Sequence, residues 1–90
     1  MGDADPDPLQ PVQSVRRQLR EIKGVREARP GVFQIRGAPF ITFRVEGGVL
    51  QAEMRKPGGS GFDRYPVDTA PQQRKLVEDA RLRAGRLDDE

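Results

Sequence analysis

Cysteine, histidine and tryptophan are absent from this 90-residue chain, and its aromatic residues are four phenylalanines and one tyrosine. Without cysteine there is neither a disulfide framework nor a thiol nucleophile. Without histidine the commonest general base and a standard zinc ligand are also missing. Those absences remove most enzyme classes, so the sequence predicts a non-catalytic protein with no metal and no cofactor. Among the remaining candidates for chemistry, Glu53 and Asp63 are carboxylates and Tyr65, Ser60 and Thr69 carry hydroxyls, but no spacing requires them to converge. Long apolar runs are lacking too. None approaches the roughly 20 residues of a membrane span, and Met1 to Gln10 carries three acids and no base, the reverse of a signal peptide. The expectation is a soluble cytoplasmic chain with no membrane partner.

What the chain has in quantity is charge: 33% of its residues are charged against 34% hydrophobic, with 10 Gly and 8 Pro. Ninety residues make one small domain, and that composition predicts an ordered unit over residues 11–86 between acidic disordered tails at 1–10 and 87–90. The overall net charge of +2 conceals a segregation, because residues 12–86 hold all sixteen bases against eight of the fourteen acids, a body of net charge +8. Such a body is an electrostatic footprint for a polyanion, with tails able to compete for it. Thirteen of the sixteen bases are arginine, a usage that codon bias alone also produces.

The periodicities give the elements. Val12, Val15, Leu19 and Ile22 recur at helical spacing, with Pro11 suited to a first turn and Gly24 followed by Val25 suited to an end. A basic bend, "REARPG", leads to "VFQIR", where Phe33 and Ile35 alternate with Gln34 and Arg36. In "PFITFRVE" and "VLQAEMR" the apolar sets are Ile41, Phe43, Val45 and Leu50, Ala52, Met54. With Gly47 and Gly48 as a two-residue turn, Val45 faces Leu50, Phe43 faces Ala52 and Ile41 faces Met54. Keeping Phe33 and Ile35 on that face requires a three-residue loop at Gly37, Ala38 and Pro39. Residues 56–66 read as a loop. Thr69 with Gln72 forms a capping box ahead of Leu76, Val77, Ala80 and Ala84, and Gly85 marks the end of that helix. The fold class is α+β, in the order αβββα: a three-stranded antiparallel meander with two amphipathic helices in a single domain.

Two surfaces stand out. The loop "RKPGGSGF" exposes glycine N–H groups beside Arg55 and Lys56, yet it lacks the Gly-Lys-Ser/Thr ending of a Walker loop and the G-x-G-x-x-G of a dinucleotide loop. Phe62 and Tyr65 follow with Arg64 between them, an interleaving suited to stacking on nucleobases, or else a lid over a small core. The outward meander residues include Arg36, Arg44 and Arg55, with Arg16, Arg17 and Arg20 available from the first helix; Glu53 beside Arg44 suits a cross-strand ion pair. The candidate nucleic-acid-binding set is therefore Arg16, Arg17, Arg20, Arg36, Arg44, Arg55, Lys56, Phe62, Arg64 and Tyr65, with DNA or RNA as the partner. The alternative is a protein-interaction or structural module, a homodimer formed through the open face or an edge strand.

Gly24, Val25, Glu27, Phe33, Ile35, Gly37 and Phe40, within "LREIKGVREARPGVFQIRGAPFITFRVEGGVLQAEMR", resemble the opening of the MmcQ/YjbR-like small bacterial domains. The resemblance covers about residues 15–56. It implies a bacterial protein of double-wing architecture, which is described as DNA-binding by analogy of fold, and it transfers no residue-level role.

Overall fold

A computed structural model describes residues 9–57 and 61–88. The chain runs through a 3-10 turn (Gln10–Val12), α1 (Gln13–Arg20), β1 (Val25–Arg29), β2 (Val32–Ile35), β3 (Ala38–Glu46), β4 (Val49–Arg55), β5 (Phe62–Pro66) and α2 (Ala70–Asp88). All five strands form one antiparallel sheet in sequence order. The class is α+β, but the expected three-stranded meander is extended at each edge, by β1 where a bend was expected and by β5 where a loop was.

The β3–β4 hairpin has the register that its glycines dictate: Glu46 opposite Val49, Val45 opposite Leu50, Phe43 opposite Ala52 and Ile41 opposite Met54. Gly47 and Gly48 have φ of 58° and 80°, the left-handed pair that a tight two-residue hairpin turn requires. The β2–β3 connection departs from expectation. It is a two-residue turn at Arg36 and Gly37, both with positive φ, and not a three-residue loop. The parity problem is solved within β3: Phe33 pairs with Ile41 and Gln34 with Pro39, which leaves Phe40 as an extra, bulged residue. Phe40 and Ile41 are both fully buried, so the bulge adds one large side chain to the core. A second irregularity, at Ala28, separates the Glu27–Phe33 and Arg29–Val32 pairs of β1 and β2.

Both helices lie on one face of the sheet. Val12, Val15 and Leu19 from the first helical segment and Leu76, Val77, Ala80 and Ala84 from α2 join Phe33, Ile35, Phe40, Ile41, Phe43, Ala52 and Met54 in a single buried cluster. Phe33 and Phe43 meet edge to face at a centroid separation of 6.2 Å. Leu9 packs against this cluster, so the chain is engaged with the core before α1 starts. Helix α1 stops at Arg20, and the chain turns through Gly24, whose φ is 88°. The capping box of α2 forms: Thr69 Oγ1 accepts from Gln72 N–H at 3.3 Å, and Gln72 Oε1 accepts from Thr69 N–H at 3.1 Å. Gly85 does not end α2, which continues to Asp88; a lone glycine costs a helix about 1 kcal/mol relative to alanine, too little to break one already anchored by Leu76, Val77, Ala80 and Ala84. Residues 1–8, 89 and 90 of the expected acidic tails lie outside the described residues; of the rest, Gln10 opens the 3-10 turn and Leu87 and Asp88 belong to α2, so regular structure runs past the expected bounds of 11 and 86.

Candidate nucleic-acid interface

The register assigns every strand residue to a face. Phe33, Ile41, Phe43, Ala52 and Met54 point to the helices, so Glu27, Asp63 and Tyr65, which pair with residues of that set, point there as well. No helix among the described residues lies on the opposite face. Across it run Arg29, Val32, Thr42, Glu53 and Arg64 in one cross-strand row, with Arg26 beside Gln34, Arg44 beside Gln51, and Arg55 beside Phe62.

Its charges are unequal. Arg44 Nε lies 3.2 Å from Glu53 Oε1, the expected cross-strand pair, and Arg64 is 3.8 Å from Glu46. Arg26, Arg29 and Arg55 have no carboxylate within ion-pair distance among the described residues. Phe62 is 47% exposed, the single large aromatic side chain among the described residues to stand so far in solvent. The amide oxygen of Gln51, in the same layer between Arg44 and Pro66, is buried without a donor.

Arg44, Arg55, Arg64 and Phe62 are thus brought together on one surface, and Lys56 follows directly at its margin, 3.7 Å from Asp63. Arg16 and Arg20 are not part of it. They sit on the helix side, where Arg16 Nε and Arg20 Nη1 donate to the two oxygens of Glu27 at 2.8 and 2.6 Å and the Gly31 N–H adds a third bond at 2.9 Å. Burial works to raise the pKa of Glu27, but the bonds from Gly31, Arg20 and Arg16 outweigh it and hold the carboxyl below its ordinary value. Arg17 is exposed on α1, and Arg36 occupies the β2–β3 turn.

Phe62 and Tyr65 do not act as one stacking unit, because residues three apart on a strand face opposite ways. Tyr65 belongs to the helix side: its hydroxyl donates to Asp79 at 2.7 Å and the Arg83 guanidinium lies 5.7 Å from its ring centre. Burial, then the bond to Asp79, pushes its pKa up to about 12. Glu53 and Asp63 likewise lie on opposite faces, which rules out a carboxylate pair. Gly58, Gly59 and Ser60 of the glycine-rich loop lie outside the described residues; its stems are joined by Lys56 N–H donating to Gly61 O at 2.9 Å.

Sequence reasoning passed over Arg26 and Arg29 because they lie in the segment read as a bend. Its alternation, Val25 and Glu27 inward with Arg26 outward, is a strand signal once an acid is admitted at a core-facing position. No group of three or more acidic side chains suited to a metal occurs among the described residues, and no helix there is long and apolar enough to cross a membrane. Compared with protein-family models, with curated proteins and with solved structures, the chain has no significant match in any of the three.

Proposed function

We propose that this protein binds single-stranded nucleic acid across the helix-free face of its sheet. The observation that carries the reading is that one face of the sheet, on which no helix lies among the described residues, holds both Arg26, Arg29 and Arg55, which have no carboxylate partner among those residues, and Phe62, held out into solvent. Guanidinium groups give phosphate contacts, and an exposed ring gives a base a stacking platform. Shape favours a single strand over a duplex. Five strands spaced about 4.8 Å apart make a surface roughly 19 Å wide, whereas the major groove of B-DNA is about 12 Å across and admits a helix or a two-stranded ribbon.

The test is fluorescence anisotropy with labelled RNA and DNA oligonucleotides, single-stranded and duplex, at two salt concentrations. Binding that prefers single strands, weakens as salt rises, and drops by about 5- to 150-fold on Phe62→Ala, the range expected of one stacked base, supports the reading. Affinity that is flat with salt, or equal loss from Arg17→Ala on the helix layer and from Arg55→Ala on the open face, overturns it.

A further inference from the structure

Arg83 belongs to α2, on the far side of the sheet from the proposed interface, yet its contacts all converge on the β4–β5 end. Its Nη1 donates to the backbone carbonyl of Arg55 at 3.0 Å and its Nη2 to Asp63 Oδ2 at 2.9 Å, while its Cζ lies 5.7 Å from the centre of the Tyr65 ring. The side chain is only 16% exposed. The Arg55 carbonyl is open to this contact for a structural reason: β3–β4 pairing stops at Ile41 and Met54, where the bulge at Phe40 begins, so no β3 amide is opposite Arg55. One guanidinium therefore ties both stems of the 56–61 connection to α2. Those same stems present Arg55 and Phe62, as a directly opposed pair, on the other face.

Resting on the reading above, we infer that Arg83 is a positioning residue for the nucleic-acid face: it touches no ligand, and by clamping the Arg55 carbonyl and the Asp63 carboxylate it fixes where Phe62 and Arg55 stand. A planar two-armed donor is what the arrangement needs. A lysine ammonium reaches the carboxylate or the carbonyl but does not span both with fixed geometry.

The test uses the full chain with Arg83→Met and Arg83→Lys. Amide hydrogen exchange reads the clamp without any nucleic acid: Arg83→Met is expected to lower protection of the Lys56 amide by about tenfold or more while the Ala52 amide changes by less than about twofold, with Arg83→Lys intermediate. Oligonucleotide titration reads the consequence. Arg83→Met is expected to weaken binding about 3- to 10-fold in the parent chain and less than about twofold in a Phe62→Ala background, since coupled residues are non-additive, and to leave the salt slope unchanged. A salt slope shallower by about 0.7 makes Arg83 a direct phosphate contact and overturns the inference. Unchanged exchange at Lys56 overturns it as well, as does lost protection with undiminished affinity. If the unsubstituted chain binds no oligonucleotide, the functional reading fails, and a loss of protection at Lys56 then leaves the clamp as a contact of the fold alone.

Discussion

At the scale of the residue, two titrating groups report on the fold from opposite ends of the pH range. Glu27 is held below its ordinary pKa of 4.5 by Gly31, Arg20 and Arg16 against the pull of burial. The unfolded chain therefore takes up its proton first as the pH falls, and the stability that Glu27 contributes is present above about pH 4.5 and lost below it. Glu27→Gln is expected to cost about 1.5–3 kcal/mol at neutral pH, the range for hydrogen bonds to a charged group. In denaturant titrations that difference should shrink toward zero on acidification below pH 4; a difference independent of pH would contradict the assignment. Tyr65 behaves in the opposite sense. Its pKa is raised from 10.0 to about 12, so its contribution is full below pH 10 and disappears between 10 and about 12 as the unfolded chain ionises first. With one tyrosine and no tryptophan, the chain allows this to be read directly from tyrosinate absorbance. Asp79→Asn is expected to bring the midpoint back toward 10, and an unshifted midpoint in the parent would remove the Tyr65–Asp79 bond from the account.

At the scale of the element, the edge strands explain both the stability of the sheet and its partial legibility in sequence. The inner hairpin was readable because its two glycines set the turn and its apolar alternation set the register, two signals that agree. The edges were not, because each puts an acid where an apolar residue was expected: Glu27 in β1, answered by Arg16 and Arg20 of α1, and Asp63 in β5, answered by Arg83 of α2. A period-two search for hydrophobic residues passes over such strands, and the bulges at Ala28 and Phe40 shift the parity of whatever remains. For the site, Arg44, Arg55, Arg64 and Phe62 were legible, since their strands or their composition were. The partners of Arg16 and Arg20 were not, because Glu27 becomes a neighbour of α1 only when β1 exists. Inward charges also guard an edge against unwanted pairing. The Lys56–Gly61 bond fixes the ladder so that Asp63 and Tyr65 direct their backbone groups to β4, while Phe62 and Arg64 direct theirs outward and Pro66 has no N–H to offer there. The antiparallel register in which β5 overlaps a second copy most fully sets Arg64 against Arg64, and like charges directly opposed are unfavourable. Arg64→Val should accordingly raise self-association in sedimentation across micromolar concentrations, whereas an unchanged or weakened tendency would show that β5 charge does not guard this edge.

At the scale of the whole molecule, the sheet separates two kinds of work. Among the described residues the large buried apolar side chains lie between the sheet and the helices, together with the Glu27 and Tyr65 networks, so substitutions on that side act on stability, and on binding only through the position of the face beyond. The other face contributes little to the core and carries Arg26, Arg29 and Arg55, which have no carboxylate partner among the described residues. Removing Arg26, Arg29 and Arg55 together is therefore expected to have little effect on folding and, on the proposed reading, a large effect on binding. Each is a strand residue without an ion pair among the described residues, and such surface substitutions usually change stability by no more than about 0.5 kcal/mol. Each phosphate neutralised on a single strand contributes about 0.7 to the slope of log affinity against log salt. The triple alanine variant should therefore keep its unfolding midpoint close to that of the parent while its salt slope becomes shallower by about 2. The same number of arginines taken from the helix layer, Arg16, Arg20 and Arg83, should do the reverse, lowering the midpoint because Glu27 and Asp63 lose their arginine partners. In the proposed reading that layer makes no phosphate contact, so the slope should stay with the parent, and a helix-layer variant with the shallower slope would move the interface to the other side of the sheet.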